Sequence, residues 1–178
     1  MKRFSILLFI CTIYTISISA QEIASSFLDK FGKDDNLEVV TIGKKMLQMM
    51  EGIASKDPDF TEVIKGLENI QIISSTDSVL SNEYYDSAYE IMTKKKQGFE
   101  QLVEFKNSEE TLIIMVKESR GAIRELVLLS NKKTQGFNLI TLNGKIDMEP
   151  LVKYSERINI PGLKVLDSVN NDKNEQPN

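Results

Sequence analysis

The fold is decided by residues 99–142, FEQLVEFKNSEETLIIMVKESRGAIRELVLLSNKKTQGFNLITL, in which apolar stretches alternate with short polar connections. We predict four strands here, over Phe99–Lys106, Thr111–Val116, Ile123–Ser130 and Phe137–Leu142. The connections are too short for the crossovers that parallel neighbours need, so consecutive strands should pair antiparallel. The sequence therefore predicts a four-strand meander.

The first two of these strands differ in how they should be covered. The first alternates between apolar and polar positions, which predicts a half-buried strand with one wet face. Its inward-facing residues are predicted to be Phe99, Gln101, Val103 and Phe105. The second contains the unbroken apolar run Leu112–Val116, which is typical of a central strand covered on both faces.

Helices and strands alternate upstream of the meander. An apolar stripe predicts a short helix over Glu22–Lys33, and the β-branched segment Leu37–Ile42 predicts a strand. A helical turn or two is predicted over Asp59–Gly66, followed by a second strand around Ile70–Ile73.

A methionine stripe marks the helix that begins after Gly43. Its members, at helical spacing, are Met46, Met49, Met50 and Ile53. Such a stripe could form an adaptable binding groove, because methionine adjusts to varied partners. We favour ordinary core packing, because an amphipathic helix buries one face in any case.

A longer helix is predicted from an N-cap at Ser81 to the lysine run Lys94–Lys96, with Gly98 just beyond. The lysines lie at the negative end of the helix dipole, so we interpret them as a helix terminus rather than a ligand patch. The helix carries three tyrosines that could line a binding surface, although partial burial of an amphipathic face is the interpretation we favour.

The C-terminal part completes the predicted domain. Asn143–Gly144 should close the last strand, and Asp147 should cap a final helix that ends at Pro161–Gly162. Residues 168–178 are polar and predict a disordered tail. We therefore predict a single α+β domain over residues 21–167, with an antiparallel-dominated sheet, the C-terminal four-strand meander, and helices packed on one face of the sheet.

The first 20 residues have the layout of a secretory signal peptide. Lys2 and Arg3 precede an apolar stretch of about 15 residues, and small residues lead to a predicted cleavage after Ala20. An uncleaved membrane anchor would need about 20 apolar residues. Cys11 lies inside the apolar stretch and follows Ile10, which argues against a lipid anchor. We predict export to the periplasm or cell envelope, with no stable membrane insertion after cleavage.

Charge and residue usage exclude several classes of function. Cleavage would remove Lys2 and Arg3 and no acidic residue, so the net charge would change from −4 to −6. An acidic chain argues against binding of nucleic acid, which requires clustered positive charge. The chain has no His and its one Cys lies in the predicted signal peptide, so imidazole, thiol and Cys/His metal chemistry are excluded. We predict no catalytic residue, no metal and no cofactor.

Three segments carry a resemblance to a known family. Glu38–Ile42, Ile123–Leu128 and Leu142–Asp147, with the helices that follow or precede them, resemble the secreted bacterial domain-of-unknown-function 4252 family. The resemblance covers about residues 22–165. It implies an envelope or periplasmic protein of a diderm bacterium, with a role accessory to envelope signalling, and it implies no enzymatic activity. The family supplies no agreed functional residues.

The sequence predicts a non-enzymatic module that binds a protein or peptide partner in the envelope. Candidate residues of its interaction surface are Arg124, Glu125, Lys145, Tyr84, Tyr85 and Tyr89. A small-molecule or lipid carrier, with a pocket between the sheet and the Met46–Ile53 helix, is the first alternative. A hydrolase based on carboxylates or on a Ser–Lys pair is the second.

Overall fold

The computed structural model describes residues 20–53, 57–95 and 98–158, with side chains as far as Tyr154. Its helices are α1 (Ala20–Phe31), α2 (Lys44–Ile53), α3 (Pro58–Ile64), α4 (Leu80–Lys94) and α5 (Met148–Ile158). Its strands are β1 (Glu38–Gly43), β2 (Leu67–Ser75), β3 (Glu100–Lys106), β4 (Glu110–Ser119), β5 (Ala122–Lys132) and β6 (Gly136–Ile146).

The strands form one sheet with the order β1-β2-β6-β5-β4-β3, and every neighbouring pair is antiparallel. Strands β3 to β6 follow one another as the predicted meander, which is confirmed. Strand β2 pairs with β6 and extends the sheet beyond the meander, and β1 pairs with β2. The two edges of the sheet are therefore β1 and β3.

Helices cover both faces of the sheet. Helices α1 and α4 pack on one face, which we call the α1 face, around Ile73, Ile113 and Val127. Residues of α2, α3 and α5 pack on the other, the α2 face, with Leu112 and Leu128 in the same buried cluster. The predicted α+β class is confirmed, but the placement of all helices on one face is wrong. Apolar residues of the central strands point alternately to both sides, so each side needs a covering layer.

Strand β3 contains a β-bulge that changes which residues face inward. Gln101 lies opposite Met115 and Val103 lies opposite Ile114, so Leu102 is the extra residue. Phe99 consequently packs on the α1 face, and Val103 is buried on the α2 face. The prediction that Phe99 and Val103 share one face is wrong, because one inserted residue reverses the alternation of the side chains after it.

Two predicted boundaries also differ from the structure. Gly144 lies inside β6 instead of closing it, and a Cβ there would come within 2.4 Å of the Gly66 carbonyl oxygen of the adjacent chain segment. Asp77, rather than Ser81, caps α4: its Oδ1 accepts the N–H groups of Val79 and Leu80 at 2.8 and 2.9 Å. A carboxylate oxygen placed one turn before Ser81 thus satisfies free N–H groups at the start of the helix, as a capping residue does.

The start of α5 is formed as predicted, since Asp147 Oδ1 accepts the backbone N–H of Glu149 at 3.2 Å. Residues 1–19 of the predicted signal peptide, the predicted stop at Pro161–Gly162 and the predicted tail at 168–178 lie outside the described residues. These three assignments remain predictions, as does the lower domain boundary that depends on cleavage after Ala20.

Candidate functional site

Five exposed apolar side chains lie on β1 and on α2, the helix that follows it. Helix α2 buries one residue completely, Leu47, which packs on the α2 face of the sheet. Met46, Met49 and Ile53 are 53%, 54% and 77% exposed. The prediction that this stripe is core packing is wrong for these three residues and holds for Met50, which is partly buried and packs with Leu47 against the cluster on the α2 face.

Strand β1 adds two exposed valines to this surface. Val39 and Val40 point to opposite faces of the sheet and are 45% and 48% exposed, so neither face of β1 is well covered. We call the set formed by Val39, Val40, Met46, Met49 and Ile53, which borders the β1 edge on both faces of the sheet, the open-edge surface. Exposed apolar residues grouped in this way mark an interaction site more often than isolated exposed residues do.

The two edges of the sheet differ in how they are protected. Strand β3 carries the bulge at Leu102 and three charged residues, Glu100, Glu104 and Lys106, which are features that discourage pairing with another strand. Strand β1 pairs with β2 in unbroken register, contains no proline, and has Glu38 as its one charged residue. The β1 edge therefore keeps a regular, uncharged row of backbone groups.

Charges lie at both ends of β1. Glu38 begins the strand, and Lys44 and Lys45 follow it as the first residues of α2. Lys44 Nζ lies 3.0 Å from Glu68 Oε1, but both side chains are 60% exposed, so solvent and salt weaken this pair. The lysine is accordingly available to a second acidic group that approaches the edge.

A groove lies at the opposite end of the sheet, between α4 and β3. It encloses about 380 Å³ and is lined by Tyr89, Met92, Thr93, Phe99, Gln101, Ile113 and Met115. The rings of Tyr85 and Tyr89 stack beside it with centroids 6.3 Å apart. Burial, then the neighbouring Tyr89 and Glu104, raise the pKa of Tyr85 to about 12. The groove is thus mostly apolar, and the Tyr85 phenol beside it is neutral at neutral pH.

The structure does not bring the six predicted surface residues together. Tyr84 is 1% exposed and belongs to the core, whereas Tyr85 is half-buried and Tyr89 is exposed on α4. Glu125 lies within the α1 side of the sheet, where its Oε1 is 3.6 Å from Lys117 Nζ and its Oε2 accepts the N–H of Ala20. Arg124 is exposed.

Lys145, the last of the six, lines a separate polar cleft of about 590 Å³ between α3 and α5. Lys153 of the same cleft donates to Asp59 Oδ1 at 2.8 Å, and this bond raises the pKa of Lys153. Charges of both signs line the cleft, so it presents no concentrated field to an ionic ligand.

Across residues 20–53, 57–95 and 98–158, no three or more acidic, His or Cys side chains are grouped so that they could hold a metal ion. Within the same ranges, every helix is too short or too polar to span a bilayer.

Sequence reasoning missed the open-edge surface as the main apolar exposure, although its signal was present in the methionine stripe. Comparison with curated proteins and with solved structures gives no match. The sequence model of the family described as "Domain of unknown function (DUF4252)" matches residues 31–154, which contain the complete sheet and the whole open-edge surface. Because the match covers more than half of the chain and agrees with the resemblance in the strand sequences, the protein belongs to the DUF4252 family.

Proposed function

We propose that this protein is an exported envelope protein without catalytic activity, and that it binds a protein partner through the open-edge surface. The observation that carries the proposal is the exposure of Met46, Met49 and Ile53 beside a strand edge that pairs on one side only. The proposal of export is supported by the signal-peptide layout of residues 1–20, and that of an envelope role by the family resemblance.

The chemistry of the surface favours an extended protein segment as the bound element. An edge strand offers alternate N–H and C=O groups to an added strand, and this main-chain pairing supplies affinity. Methionine side chains adapt their shape to varied apolar partners. A segment that pairs with β1 and places apolar side chains against Met46 and Met49 would satisfy both features.

In-cell crosslinking of the tagged full chain, with enrichment and mass spectrometry, tests this function. We expect a reproducible crosslinked protein with the wild type, and at least a tenfold loss with the double variant Met46→Lys, Met49→Lys. Both residues are more than half exposed, so their replacement should leave the fold intact.

The matched control is Leu102→Lys, which adds a charge at the other edge, on a residue that is 43% exposed. We expect this variant to keep the partner. Equal capture by the wild type and by the α2 double variant would contradict the assignment of the surface, and capture of background proteins alone would contradict a protein-binding function.

The groove between α4 and β3 favours a second candidate function, that of a carrier for a small apolar molecule. The sequence placed such a pocket between the sheet and α2, but Leu47 packs at that position and is 0% exposed. The groove of about 380 Å³ beside Tyr89 and Met115 offers more room. Native mass spectrometry should then show an adduct of constant mass that Tyr89→Lys, at a lining residue that is 44% exposed, removes, and its absence across several preparations would contradict a carrier.

A further inference from the structure

We propose that the partner of the open-edge surface is a second copy of this chain, and that β1 pairs with β1 of the other copy in antiparallel register about a two-fold axis at Thr41. The inference rests on the proposed function, because it takes from it the binding role of this surface. It adds the identity of the partner and the register of the pairing.

Symmetry restricts the possible registers. A two-fold axis perpendicular to the sheet does not exchange the two faces of the sheet. Residues of the two β1 strands that lie opposite each other must therefore have side chains on the same face. Residues of β1 alternate between the faces, since Val39 lies opposite Ile73 on the α1 face and Val40 lies opposite Ile72 on the α2 face. The axis must therefore pass through a residue position such as Val40, Thr41 or Ile42.

Charge complementarity selects Thr41 among these positions. With the axis at Thr41, residues 39–43 of the two β1 strands pair, and Glu38 of one copy lies next to Lys44 of the other, the residue that follows the end of β1, so symmetry forms this ion pair twice. With the axis at Val40, Glu38 would face Ile42, and with the axis at Ile42 it would lie beyond the end of the other β1 strand. Only the register at Thr41 places a cation next to the acidic residue of the edge strand.

The same register treats the apolar residues of β1 consistently. Val40 of one copy lies opposite Ile42 of the other on the α2 face, where Ile42 already packs against the buried cluster. Helix α2 packs on β1 as well as on β2, so the two α2 helices lie on the same face near the seam. Exposed methionines then flank the new strand pair.

Disulfide trapping tests the axis directly. The chain has one cysteine, Cys11, so the Cys11→Ser background gives Thr41→Cys a single thiol. Directly opposed residues of an antiparallel pair have Cα atoms about 5 Å apart, which suits a disulfide. We expect mild oxidation of the protein, purified as the cell produces it, to convert most of the Thr41→Cys variant into a covalent dimer.

Val39→Cys in the same background is the matched control. In the proposed register the two copies of Val39 are offset by four residues along the strands, or about 13 Å, which a disulfide cannot span. Crosslinking of Val39→Cys as readily as Thr41→Cys would overturn the register, because it would show collisions or another alignment.

A charge exchange tests the same register without a covalent bond. Glu38→Lys and Lys44→Glu should each weaken the dimer about tenfold by sedimentation equilibrium, and the double variant should restore it. Glu68→Gln removes the intrachain partner of Lys44 and should leave the dimer unchanged. Failure of the double variant to recover affinity would overturn the proposed pairing of Glu38 with Lys44.

Failure of this inference can be distinguished from failure of the proposed function. A wild-type protein that is monomeric at every concentration, but loses a different envelope partner with Met46→Lys, Met49→Lys, overturns the second-copy partner and leaves the binding function standing. A monomer whose captured proteins are unaffected by that double variant overturns both.

Discussion

The phenolic O–H of Tyr84 donates a hydrogen bond of 2.6 Å to Asp34 Oδ2, which joins α4 to the turn that follows α1. The Tyr84 ring packs among Phe27, Phe31 and Phe137, with centroid distances of 6.1, 5.2 and 5.7 Å. The bond lowers the pKa of Asp34, while burial, and then this bond, raise the pKa of Tyr84. A tyrosine that the sequence placed on an interaction surface is instead a structural link between two helices.

This relationship predicts a pH-dependent effect of Tyr84→Phe. Because the folded-state pKa of Asp34 lies below its ordinary 3.8, the stability that the bond contributes is present above that value and is lost as the pH falls through the lower folded-state pKa. Urea unfolding should show Tyr84→Phe less stable than the wild type at pH 7, with a smaller difference near pH 3. Tyr85→Phe is the control, and a Tyr84→Phe deficit that stays constant with pH would contradict the prediction.

Glycine is required at position 144 by backbone proximity. A Cβ there would lie 2.4 Å from Gly66 O and 2.7 Å from Glu68 N, and the residue has a φ of +131°. We expect Gly144→Ala to lower the free energy of unfolding by about 3 kcal/mol or more, because backbone must move to admit it. Gly52→Ala in α2 meets no atom within 4 Å and should change stability by less than about 1 kcal/mol. Similar chemical denaturation midpoints for the two variants would be inconsistent with this packing.

The orientation of α2 predicts unequal costs for neighbouring truncations. Leu47→Ala should cost about 2–5 kcal/mol, because Leu47 is 0% exposed and its removal leaves a cavity. Met49→Ala should change stability by less than about 0.5 kcal/mol, since Met49 is 54% exposed. Thermal or denaturant unfolding of both variants checks the rotation of the helix, and a larger loss from Met49→Ala would place the methionines in the core instead.

The bulge in β3 predicts that one deletion is tolerated better than another. Deletion of Leu102 removes the extra residue and leaves Phe99 and Val103 on their present faces. Deletion of Glu104 shortens a regular part of the strand and turns Phe105 away from the cluster against which it packs. We expect the Glu104 deletion to be less stable by about 2 kcal/mol or more in urea unfolding. Equal losses would argue against a bulge at Leu102.

Local patterns were sufficient for the meander but not for the layers around it. The alternation in β3 to β6 and their short connections predicted strands and antiparallel pairing, because both depend on nearby residues. The alternation in β3 did not indicate the bulge, because a residue can be recognised as extra only from the register with the neighbouring strand β4. The apolar run Leu112–Val116 indicated that both faces of the central strand are covered, but which helices cover each face depends on where α2 and α3 dock, which no local periodicity specifies.

The candidate site was only partly predictable for a related reason. The methionine stripe of α2 was visible in the sequence, and its two interpretations were both stated. The choice between them depended on Leu47, whose burial fixes the rotation of the helix against the sheet. Exposure of Val39 and Val40 depended on β1 lying at the edge, and strand order is a property of the whole sheet rather than of the β1 residues.

The difference between the two sheet edges limits how many protomers can be joined by strand pairing. In the language of polymer chemistry, a protomer with two reactive ends propagates a chain, whereas a protomer with one reactive end terminates it. The bulge and charges of β3 discourage strand pairing at that edge, so each protomer has one reactive end, its regular β1 edge. When two protomers pair through β1, the reactive end of each is used, so the product is a closed dimer and not a fibre.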